Sequence, residues 1–101
     1  MKIPSSIKIG GVIYKIVFQE LDDSSGKTDF SKSIIYLDNR QSKDQIEATF
    51  IHEIFHCINN QMSEERVEFL AQACYQILKD NFNERRRIFK KITRIKRTTR
   101  R

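Results

Sequence analysis

Apolar and polar positions alternate along the first third of the chain and then change period. Ile7-Lys8-Ile9 and Val12-Ile13-Tyr14-Lys15-Ile16-Val17-Phe18 are rich in β-branched and aromatic side chains and flank Gly10-Gly11. Such a pattern predicts a hairpin closed by a two-residue turn. Asp22-Asp23-Ser24-Ser25-Gly26 reads as a polar loop, and residues 27–30 and Ser33-Ile34-Ile35-Tyr36-Leu37 supply two further short runs. A small, mostly antiparallel sheet is therefore expected. Past Asp38-Asn39-Arg40-Gln41, the residues Ile46, Phe50, Ile54 and Ile58 recur as one face of a helix. Ser42 followed by Gln45 is a capping-box signature at its start, and Asn59-Asn60 favours its exit. Ser63 caps a second helix, with Glu64 and Glu65 at the positive end of its dipole. Val67, Leu70, Ala71, Cys74, Ile77 and Leu78 trace its apolar stripe to about Asp80. The short connection predicts an antiparallel helix pair, so the fold class is α+β.

The length of 101 residues gives room for one small domain with a thin core, to which a bound metal would contribute stability. Met1-Lys2-Ile3-Pro4-Ser5-Ser6 does not open a secretion signal, and no stretch reaches the roughly 20 apolar residues of a membrane span. The expectation is a soluble, cytoplasmic protein without membrane insertion. Cys57 and Cys74 lie within helical patterns and read as small buried hydrophobes with free thiols. The net charge of +6 is unevenly spread. Residues 1–83 hold 9 Lys/Arg against 12 Asp/Glu, a net of −3, whereas residues 84–101 hold 10 against 1, a net of +9. Two units follow: a mildly acidic domain, 1–83, and a basic tail, 84–101.

The first helix carries His52-Glu53-Ile54-Phe55-His56, an HExxH pattern containing both histidines of the chain. Residues four apart share a helical face, so His52 and His56 can present two imidazoles to one zinc ion. Glu53 projects beside them and can act as the general base on a metal-activated water. The alternative is that both histidines lie at the margin of an apolar core. Apolar neighbours Ile51, Ile54, Phe55 and Ile58 would enclose a half-buried site, which favours the metal. Cys57 is turned by about 100° from His56 and is not expected to ligate. A third ligand is sought on the second helix. Glu65 aligns with Gln72 and Gln76 towards water, while Glu68 aligns with Ala71 and Tyr75 at the border of the apolar face. Glu68 is therefore preferred, with Glu64, on the same border one turn earlier, in reserve.

His52 to His56 followed by Glu68-Phe69-Leu70-Ala71-Gln72 resembles the HExxH helix and E-x-x-A-N glutamate helix of the ImmA/IrrE-like metallopeptidases and related minimal gluzincins. The Ile9-Gly10-Gly11 hairpin, the Ile34 to Leu37 strand and Tyr75 to Asn81 extend the resemblance, towards small phage-encoded members. It implies a zincin-like fold in which a sheet packs on an active-site helix and a glutamate helix. It further implies zinc on His52, His56 and Glu68, with Glu53 as base. In larger members the domain cleaves a repressor or anti-repressor. A bacterial host cell, and carriage by a phage or mobile element, are the corresponding expectations. Gln72 departs from the Asn of the pattern, and neither a helix-turn-helix nor a sensory domain is recognisable. Tyr75 and Tyr36 read as packing residues more than as oxyanion donors, and the strand at Ile34 to Leu37 is a candidate edge for pairing an extended substrate.

In the tail, Arg85, Arg86, Arg87, Lys90, Lys91, Arg94, Lys96 and Arg97 surround Ile88, Ile92 and Ile95 at helical spacing. That pattern is a basic amphipathic helix suited to a polyanion, with nucleic acid the leading partner. A third possibility is internal, with the tail lying over the acidic domain and its zinc cleft. Two functions result: a zinc-dependent peptidase acting on a protein or peptide substrate, and a non-catalytic zinc-stabilised module that binds nucleic acid through its tail.

Overall fold

Gly10 and Gly11 take φ values of +57° and +87°, the left-handed backbone that a tight I′-like turn requires and that glycine adopts without steric cost. They join β1 (Ser6–Ile9) to β2 (Val12–Gln19) as the expected antiparallel hairpin. A computed structural model describes residues 1–82; the basic helix expected over 84–101 lies outside them, as does every contact expected of it. β3 (Gly26–Asp29) and β4 (Ile34–Asp38) form a second antiparallel hairpin. The strand order is β1-β2-β4-β3, and the central pair β2/β4 is parallel. Two of the three pairings are antiparallel, as expected, while the parallel central pair makes the sheet mixed, and β4 lies inside it, paired on both sides. The expectation of β4 as a free edge is corrected: the free edges belong to β1 and β3.

The cause lies at the end of β4. Between β2 and β3 the chain crosses that end, and Asp38 and Arg40 hold it there. Leu21 N–H donates to Asp38 Oδ2 at 3.1 Å, Arg40 Nη2 donates to the Leu21 carbonyl at 2.8 Å, and Arg40 Nη2 also pairs with Asp38 Oδ2 at 2.6 Å. Leu21 itself is buried, which seals the crossing.

Two helices complete the α+β fold: α1 (Lys43–Ile58) and α2 (Glu64–Phe82). Ser42 Oγ accepts from Gln45 N–H at 3.2 Å and Ser63 Oγ from Arg66 N–H at 3.2 Å, so both expected caps form. One face of α1 sets Phe50 among Tyr14, Ile16, Ile35 and Leu37 of the sheet, with Ile46, Ile54 and Cys57 alongside. Ile35 and Leu37 are wholly buried, each worth about 1.5–3 kcal/mol over exposure. The opposite face sets Ile51 against Ala71 and Tyr75 of α2. Among the described residues, α2 packs on α1 and approaches no strand. The helical faces differ in detail from expectation. Ile58 is 61% exposed and Ile77 50%, because in the last turn of α1 it is Cys57 that packs against the sheet, leaving Ile58 turned off that face, and the stripe of α2 centres on Val67, Ala71 and Tyr75. Among the described residues, no helix is long and apolar enough to cross a membrane.

Candidate metal centre

His52 and His56 stand one turn apart on α1, on the side facing the start of α2. Their Nε2 atoms are 3.1 Å apart, and the rings meet edge-on with centroids 4.8 Å apart. Glu64, in the first turn of α2, closes the group. Its Oε2 lies 3.2 Å from His52 Nε2 and its Oε1 lies 2.8 Å from His56 Nε2. The acid brought to both Nε2 atoms is thus Glu64, the reserve candidate, and not Glu68. Glu68 reaches the same imidazole from the other side, with Oε2 3.0 Å from His52 Nδ1. Both acids start close to α1 because the five residues from Asn59 to Ser63 turn the chain sharply back.

The donor set suits zinc. Two ligand nitrogens at about 2.0–2.1 Å from a tetrahedral zinc stand roughly 3.3 Å apart, close to the observed separation. Two imidazole nitrogens and a carboxylate, all within 4.8 Å of one another, bring together several lone pairs that one cation would satisfy at once. The imidazoles are 17% and 16% exposed while Glu64 is 75% exposed, so simple ion pairing would contribute little to stability.

Glu53 is buried, and Thr28 Oγ1 of β3 donates to its Oε1 at 2.8 Å. Burial pushes the Glu53 carboxyl above the ordinary range, and the Thr28 hydrogen bond and the neighbouring histidines oppose that rise. A fixed carboxylate of raised basicity is well matched to accept a proton. β3 can approach this closely because its first residue is Gly26, where a Cβ would stand 2.5 Å from Thr49 Cγ2.

A cleft of about 700 Å³ runs along α1 between β3 and α2, with His52, Glu53, Glu64 and Glu68 at one end and Ser25, Gln41 and Gln45 in its walls. Gln41 is itself fixed, donating to the Ser25 and Asp38 carbonyls and accepting from Thr49 Oγ1, each at 3.0 Å. Neither tyrosine lines the cleft. The Tyr75 hydroxyl is buried against Glu47 at 3.0 Å and Asp44 at 3.2 Å, which pushes its pKa upward, burial being the larger cause. Tyr36 alternates to the other face of β4, with Lys27 Nζ 5.5 Å from its ring centroid. Cys57 is half-buried against the sheet, and burial pushes its thiol up.

Thr28 escapes sequence reasoning as part of the site, and so does the contact that Gln72, noted there only as a departure from the Asn of the pattern, makes with Glu68. Thr28 shares the inward face of β3 with Gly26, a period-2 signal that a four-residue strand barely displays. The helical pattern sets Gln72 on a solvent stripe with Glu65, yet its Nε2 donates to Glu68 Oε1 at 2.8 Å; the four-residue spacing of Glu68 and Gln72 is the available clue. No family model, curated protein or solved structure matches the chain.

Proposed function

We propose that the protein is a zinc-dependent peptidase of minimal gluzincin type, as the resemblance to ImmA/IrrE-like enzymes implies, acting on an extended protein segment. The observation that carries the reading is the meeting of His52 Nε2, His56 Nε2 and the Glu64 carboxylate within 2.8–3.2 Å, beside the buried Glu53. Zinc held by these three groups would polarise a scissile carbonyl and lower the pKa of a water to about 7. Glu53 takes the proton of the attacking water and returns it to the leaving amine, while Thr28 keeps the carboxylate aimed into the cleft. β3, the free edge that borders this cleft, offers unpaired backbone groups to an extended chain, the role that the sequence alone suggests for β4.

Metal analysis of the purified protein and hydrolysis of a fluorescence-quenched peptide library test this reading. Glu53→Gln is expected to keep stoichiometric zinc and to lose about 100-fold or more in cleavage, the scale of a general base. Unchanged cleavage in that variant removes Glu53 from the mechanism, and a zinc-loaded wild type that cleaves nothing removes the peptidase.

A second reading draws on the charge division, with a net of +9 on residues 84–101 against −3 on the rest. It makes the protein a zinc-stapled module whose tail grips nucleic acid. Binding to duplex DNA should then weaken steeply with salt, and replacing Arg85, Arg86 and Arg87 by Gln should flatten the dependence by about 0.9 for each phosphate no longer neutralised. Salt-insensitive binding, or none, discards it.

A further inference from the structure

The sheet has two faces, and α1 covers one of them. Tyr14, Ile16, Ile35 and Leu37 fill the side under α1, so their strand neighbours Ile13, Lys15, Val17, Ile34 and Tyr36 point the other way. Among the described residues, no helix packs on that outer face. Ile13 is 64% exposed there, and Val17, Ile34 and Tyr36 are half-buried. The register interleaves these apolar side chains with cations. Lys8 stands opposite Ile13, Lys15 opposite Ile34, and Lys27 opposite Tyr36 with its Nζ 5.5 Å from the ring centroid. All three lysines are exposed. The carboxylates nearest in register are engaged elsewhere: Asp29 accepts from the Ser31 and Lys32 backbone N–H groups, and Asp38 is buried against Arg40. The other acids of residues 1–83 lie on α1, on α2 and in the 20–23 loop. The net of −3 on this domain thus conceals a positive sheet face and a negative helical side.

An open face of β-branched side chains is a surface that a further layer ordinarily covers. The tail over 84–101, with a net of +9, has the wrong sign for this one. Nucleic acid has the right sign, but Tyr36 is the only ring at the outward strand positions, and aliphatic side chains give a base nothing to stack on. Aliphatic side chains are matched by others of their kind, and lysines around them by carboxylates on the rim of the same partner. We propose that the outer face of the sheet docks an acidic amphipathic helix of another protein, whose apolar side seats on Ile13, Val17 and Ile34 while its carboxylates meet Lys8, Lys15 and Lys27. The sheet separates this surface from α1 and the metal cleft, so it stands or falls apart from the zinc reading.

The test titrates the full chain with a labelled helical peptide of about 18 residues, five turns, with leucines along one side and glutamates beside them. A peptide of the same composition in scrambled order is the control. The patterned peptide should bind and shift the backbone amide NMR signals of β2 and β4, and the scrambled one should leave them in place. Lys15→Glu should weaken binding about tenfold by placing a like charge against the partner. Ile13→Thr, which keeps a β-branched side chain, should weaken it about fivefold through lost apolar area. Unaltered thermal unfolding shows that both variants are folded. Replacing Arg85, Arg86 and Arg87 by Gln should leave the amide shifts unchanged, which separates the face from the tail. The proposal is overturned if the patterned peptide does not bind, or if its binding survives both Lys15→Glu and Ile13→Thr. An oligothymidylate that moves the same signals when the peptide moves none also overturns it and gives the face to single-stranded nucleic acid.

Discussion

Gly26 shows how a single position can set the width of the site. Its missing side chain lets β3 lie against Thr49 and Glu53; a methyl group would fall 2.5 Å from Thr49 Cγ2, 3.3 Å from the Tyr36 carbonyl and 3.4 Å from Glu53 Cγ. Gly26→Ala is therefore an overpacking change, expected to destabilise by about 1–3 kcal/mol, seen as a lower urea midpoint at unchanged slope. At this scale the sequence reveals the two histidines and Glu53, because HExxH carries its geometry within one helix. It does not reveal Thr28 or the choice between Glu64 and Glu68. Those depend on how two separate elements meet α1, and a border position on a helical wheel does not say which ring nitrogen a carboxylate will reach.

Among the elements, α1 is the one packed on two sides, and that explains both what is legible and what is not. Ile46, Phe50 and Ile54 face the sheet as their spacing indicates, but Ile58, in the same series, is 61% exposed. Periodicity identifies a face and is silent on which residue closes it: in the last turn Cys57, not Ile58, packs against the sheet. Phe50→Ala should accordingly cost about 3–5 kcal/mol, whereas Ile58→Ala should stay within about 0.5 kcal/mol of wild type. Parallel urea titrations check the contrast, and equal losses would mean that Ile58 is covered. The Ser42–Gln45 and Ser63 caps are readable because capping is local chemistry.

For the whole molecule, the sheet order is the least legible feature. Alternation marks strands without naming their partners, and the polar run Asp38-Asn39-Arg40-Gln41 looks in the sequence only like a change of period. In the fold that run is the clamp over which the chain passes from β2 to β3. Arg40 beside Asp38 holds its carboxyl well below the usual carboxylate range. A carboxyl so depressed stabilises the fold fully above its unfolded pKa near 3.9, and the contribution is lost as pH falls towards the folded value. Stability should thus decline as pH drops below about 5, and Asp38→Asn should be less stable at neutral pH with a shallower acid decline. Thermal melts of both proteins from pH 7 to pH 2 measure this; parallel curves would refute the clamp.

The layering of the molecule carries one more consequence. α2 leans on α1 alone, and it brings the acids that face the histidines. A divalent ion shared between the helices would be a rivet through the seam that, among the described residues, keeps the second one attached. Loading the ion and seating that outer helix would then be a single event, so the protein without its ion would be loosest in the half that supplies the carboxylates.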